Sequence, residues 1–156
     1  MSIEIKRIDG TVAYESQSAT SLKEAAEEAV RQGVSLALAN FPGADFYKAN
    51  FSGANFSGAN FFGANFFGVE GILHVGPVDG WDMYAVRWDD GPRIKAGCRW
   101  FTVSEARKWW GKGGAPGNKP EHGPLMLAGL DALLAMAKAH GWEMPCGWEM
   151  AAGEGS

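Results

Sequence analysis

Apolar and polar positions follow three different rhythms along this chain. Near the N-terminus they alternate, with Ile3, Ile5 and Ile8 set against Glu4 and Lys6. Asp9-Gly10 follows as a turn signal and "TVAYES" supplies a return strand, so the pattern predicts a β-hairpin. In "SLKEAAEEAVRQG" the rhythm becomes helical, placing Leu22, Ala25, Ala26, Ala29 and Val30 on one face. Ser21 and Glu24 stand at capping-box spacing and Gly33 marks the stop. From residue 39 to residue 68 a third rhythm takes over, and it fits neither helix nor strand. Phe41, Phe46, Phe51, Phe56, Phe61 and Phe66 recur at every fifth position, each preceded by Ala and then Asn or Asp. A large and a small apolar residue at fixed offsets suit a narrow stacked shaft, with Phe filling it and Ala admitting neighbouring backbone. Asn, Asp and Gly at the other positions suit tight turns.

The repeated "ANFSG" and "ANFFG" units resemble the pentapeptide-repeat family, whose motif is A-(N/D)-(L/F)-x-x. The likeness is strict over residues 39–68, with "VSLAL" and "VEGIL" as degenerate flanking units. It implies a right-handed quadrilateral β-helix in which four pentapeptides make one coil. Gyrase-binding members of that family are long acidic rods that mimic a DNA duplex. The repeat here is short and carries only Asp45 and Lys48 as charges, which argues against that role.

After residue 68 the five-residue period vanishes and tryptophans appear at 81, 88, 100, 109, 110, 142 and 148. "GILHVGPV", "DMYAVRW" and "RIKAGCRWFT" each read as one strand, with "DDGP" as a turn before the third. A helix over "VSEARKWWGK" is expected from a Ser104 cap, and "GGAPGNKPEHG" reads as a loop. "LMLAGLDALLAMAKAH" is a helix apolar on nearly every side, which belongs inside a core or against a copy of itself. The expected fold is therefore mainly β with α. A hairpin-helix cap over residues 1–33 precedes a short right-handed quadrilateral β-helix of pentapeptide repeats over 34–73. A small α/β C-terminal domain over 74–141 and a tail over 142–156 follow.

Composition narrows the function classes. The chain has 156 residues, 46% hydrophobic and 21% charged, values of an ordinary globular protein. Its formal charge of −4 argues against whole-protein attraction to nucleic acid or anionic lipid. The N-terminus lacks an apolar signal region and no stretch approaches a membrane span, so a cytoplasmic protein with reduced thiols is expected. Cys98 and Cys146 lack metal-ligand spacing, and neither a metal nor a cofactor is expected.

Between residues 87 and 112 lie seven Lys and Arg against three acids. Read as strands, this region places Arg87, Arg93, Lys95 and Arg99 on one hairpin face, with Arg107 and Lys108 on the next helix. Two readings compete: the wet side of an antiparallel sheet, or an anion site where guanidinium forks meet phosphate beside Trp88, Trp109 and His122. No catalytic constellation is expected, because Cys98 falls on an apolar face and the three histidines lack a local partner motif. The layout resembles short pentapeptide-repeat proteins of bacteriophages and prophages, which implies an accessory protein acting by binding. The expected partner is a host protein or a small phosphate-bearing nucleotide. The competing readings are a structural homo-oligomer assembled through residues 125–139 and an enzyme using Cys98 or His122.

Overall fold

A computed structural model describes residues 2–78, 80–97, 99–111 and 123–148. The chain divides into two units, Met1–Ile72 and Leu73–Ser156.

The first unit opens with antiparallel strands β1 (Ile3–Lys6) and β2 (Val12–Ser16) and helix α1 (Leu22–Arg31). Ser21 caps α1 by accepting the Glu24 amide, whereas the Glu24 carboxylate takes the Thr20 amide and hydroxyl rather than closing the expected box on Ser21. The apolar stripe buries Ala25, Ala26 and Ala29. Glu28 on α1 ties the hairpin to the helix. Its carboxylate accepts from the Tyr14 hydroxyl at 2.5 Å and the Ser16 hydroxyl at 2.8 Å. These donors, Tyr14 foremost, hold the Glu28 carboxyl below the usual glutamate range. A carboxyl depressed in the folded state contributes stability above its unfolded pKa and loses it as pH falls through the folded value. Thermal melts should therefore fall with acidification below the ordinary glutamate range. Glu28→Gln should lower Tm at neutral pH and flatten that acid limb. An unchanged limb would mean that this carboxylate is not linked to folding.

In the repeat, isolated parallel bridges join Asn40 to Asn60, Asp45 to Asn65 and Asn50 to Glu70, so the chain returns beside itself every twenty residues. The named strands of the molecule, by contrast, form antiparallel pairs. Phe41, Phe46, Phe51 and Phe56 are fully buried, as are Ala39 and Ala49. Successive rings meet edge to face near 5 Å, while Phe41 and Phe61 stack at 5.9 Å. The Asn positions have two uses. Asn50, Asn55, Asn60 and Asn65 each accept the amide two residues on, bending the chain at those positions. Asn60 and Asn65 also donate to Asn40 and Asp45 twenty residues earlier. The hairpin continues onto the repeat, with the Ile8 amide on Leu38 and the Asn40 amide on Lys6. This pairing covers a backbone edge at the start of the repeat.

The second unit is a four-stranded sheet with two helices. Its strands are β3 (Ile72–Val78), β4 (Trp81–Val86), β5 (Arg93–Ala96) and β6 (Arg99–Thr102), in that spatial order. Helix α2 (Val103–Trp110) is capped by Thr102 in a full capping box with Glu105, two residues before the expected Ser104. Helix α3 (Gly123–Ala139) buries Met126, Leu130, Leu133, Leu134 and Ala137 against the Met83, Ala85, Ile94 and Ala96 face of the sheet. Its Ala128, Ala132, Ala135 and Ala139 side is exposed, so a helix apolar on every side is only half covered. Among the described residues no helix is long and apolar enough to cross a membrane.

Candidate functional site

Residues 93–102 form two strands, not the single strand that their alternation predicts. The chain reverses between Ala96 and Arg99, with Gly97 at a φ of +57°. A side chain at Gly97 would collide with the Trp81 ring, since its Cβ would lie 2.4 Å from it. This reversal moves Arg99. Directly paired residues share a face, and Arg99 pairs with Ala96 while Lys95 pairs with Tyr84 and Trp100. Arg93 and Lys95 therefore lie on one side of the sheet and Arg99 on the other, beside the helices. The expected four-cation face does not form.

Each cation has its own setting. Arg93 grips Asp90 with both nitrogens, at 2.9 and 3.1 Å, and lies 4.3 Å from the Trp88 ring centroid. That fork holds the Asp90 carboxyl below its ordinary range. Lys95 is 4% exposed and donates to the Gly97 carbonyl at 2.7 Å, with its ammonium over Tyr84. Its burial also removes the wet sheet face that the alternation suggests. Arg99 is exposed and stacks on Trp109 at 4.3 Å. Arg87 lies beyond the end of β4, exposed. The structure thus joins Arg93 to Trp88 and Arg99 to Trp109 as two separate cation–aromatic pairs. Cys98, His122, the loop over 112–122 and the tail over 149–156 lie outside the described residues.

Sequence reasoning left His74 without a partner, and the sheet supplies one. Nε2 of His74 meets Oδ1 of Asp82 at 3.1 Å, and the imidazole lies flat on Tyr84, 4.4 Å between centroids and 10° apart. Burial, helped by Asp82, pushes the Tyr84 hydroxyl up to about 12, so it stays neutral at physiological pH. The only sequence sign of this group is its position on neighbouring predicted strands. Among the described residues no cluster of three or more His, Cys, Asp or Glu could hold a metal ion.

The repeat presents a second feature that its period did not single out. The residue after each central Phe points outward, and at Tyr47, Phe62 and Phe67 that residue is aromatic. Phe62 is 81% exposed and Phe67 71%, while Tyr47 stacks on Phe67 at 5.7 Å. The doubled Phe in "NFFG" is the signal that could have found it. Lys48, in the left-handed region at a φ of +59°, holds its ammonium 5.3 Å from the Tyr47 centroid.

Residues 32–67 match the family model described as pentapeptide repeats, in 8 copies. No curated protein and no solved structure matches the chain.

Proposed function

We propose that this pentapeptide-repeat protein is a non-enzymatic binding module that docks a partner protein on the exposed aromatic rings of its repeat. Tyr47, Phe62 and Phe67 carry the reading, because large apolar side chains held in water on a rigid scaffold mark interaction surfaces. The twenty-residue return of the chain supports a right-handed quadrilateral β-helix as that scaffold. Such a scaffold keeps the rings in place without the ordering cost that a loop would incur on binding. Lys48 is the cation beside Tyr47, so the partner surface that fits is apolar with an acidic rim. Pentapeptide-repeat proteins are generally structural or binding proteins rather than enzymes. The likeness of the layout to phage and prophage proteins supports a host protein as the partner and a counter-defence role.

The double variant Phe62→Ser/Phe67→Ser tests this reading. Both side chains are exposed, so stability should change by less than about 1 kcal/mol. Affinity capture from host extract with each protein, followed by titration of the purified pair, should show a partner whose affinity drops at least about tenfold in the variant. Equal capture by both proteins would remove the aromatic surface from the function. Self-association of the wild type that disappears in the variant would assign the surface to a second copy and overturn the partner reading.

A further inference from the structure

We propose that the C-terminal unit also carries an oxyanion pocket, centred on Arg107, that takes a small phosphomonoester. Its lining shares no residue with the protein-binding surface. A cavity of about 300 Å3 opens between α2 and the segment after α3, lined in part by Ser104, Arg107, Lys108, Cys146 and Trp148. That volume lies at the lower end for small-molecule sites, with room for a phosphate and a modest organic group.

Arg107 points to the ligand class. Its side chain is only 6% exposed. Nε and Nη2 donate to the Trp148 carbonyl at 3.0 and 2.7 Å, and Nη2 also donates to Asp131 at 2.7 Å. Among the described residues Nη1, with its two N–H groups, has no acceptor. No buried side-chain nitrogen or oxygen among them lacks a partner. Nη1 therefore reaches open space, and the cavity is the space that Arg107 lines. A guanidinium oriented by Asp131 and a backbone carbonyl, with one nitrogen left over, is a preformed half of an oxyanion fork.

The rest of the lining has the same sign. Lys108 is exposed at the rim and none of the lining residues is a carboxylate. Asp131 balances one of the two cations, leaving a net positive pocket. Ser104 adds a hydroxyl, and it and Val103 begin α2, where the first amides have no partner inside the helix. Donors arriving from a guanidinium, an ammonium and a hydroxyl suit the three oxygens of a phosphomonoester better than the two of a carboxylate. Trp148 forms a wall against which the group that carries the phosphate can lie.

Calorimetric titration of the full chain with inorganic phosphate, adenosine monophosphate, adenosine and acetate tests the proposal. Phosphate and the mononucleotide should bind and compete, with the mononucleotide tighter, and adenosine and acetate should bind far more weakly. Lys108→Glu reverses an exposed charge without touching the core, so it should fold normally and lose at least about tenfold in affinity. Bound mononucleotide should also slow alkylation of Cys146, followed by peptide mass mapping, since that thiol lines the cavity and is exposed. Absence of binding by phosphate and mononucleotide at about millimolar concentration would overturn the proposal. Binding undiminished in Lys108→Glu, or Cys146 alkylated at the same rate with and without mononucleotide, would overturn it equally.

Discussion

Phe56→Asp should abolish cooperative folding of the repeat. Phe56 is fully buried, with the rings of Phe51 and Phe61 at 5.3 and 4.9 Å. Removing a buried Phe side chain alone costs about 3–5 kcal/mol. The substituted carboxylate adds to that loss, because the shaft around it is lined by Phe and Ala and offers no partner for a charge. A domain stable by only about 5–15 kcal/mol does not tolerate the sum. Circular dichroism should show loss of the native spectrum and of a sharp melt. Phe62→Asp is the matching control: the same charge six residues on, at a ring 81% exposed, should leave the melt nearly unchanged. Equal damage from both would mean that the inward and outward registers are misassigned.

Gly71→Ala should be the most damaging of the small substitutions. Gly71 has a φ of +84°, and a Cβ there would lie 2.4 Å from the Ser52 nitrogen and 2.6 Å from its Cα. These are backbone atoms, so no side chain can swing aside. Opening the gap would strain the neighbouring bond from the Phe51 amide to the Glu70 carbonyl, now 2.9 Å. Overpacking and left-handed strain together should cost about 2–4 kcal/mol, a fall in Tm of roughly 5–15 °C for a chain of this size. Gly53→Ala separates the two causes. Its φ is +80° but a Cβ would meet nothing within 4 Å, so only the conformational cost of about 1–2 kcal/mol remains. Parallel urea titrations of the two variants give the comparison. Similar losses would mean that the close approach at Gly71 is relieved by movement of the chain.

Much of the first unit was legible because its instructions are local. The five-residue period put Phe and Ala inward, and the Asn side chains bend the chain at their own positions, so neither needs a distant partner to be recognised. The hairpin and α1 were read from alternation and a helical stripe for the same reason. Residues 93–102 misled because period two continues across a tight turn: "RIKAGCRWFT" looks like one strand whether or not it folds back at Gly97. That ambiguity cost the candidate site, since the reversal moved Arg99 to the other side of the sheet from Arg93 and Lys95.

By itself, then, the sequence determined the repeat, its inward Phe and Ala, its Asn corners and most of the elements around it. Each of these follows from backbone preference and apolar spacing within a few residues. Only the tertiary structure decided which polar groups are engaged. Arg107 finds Asp131 twenty-four residues away and the Trp148 carbonyl forty-one away. His74 finds Asp82 across neighbouring strands, and Phe62 stays in water while Phe61 next to it is 4% exposed. The strength of a charge pair or the exposure of a ring depends on what surrounds it in space, and spacing along the chain does not encode that.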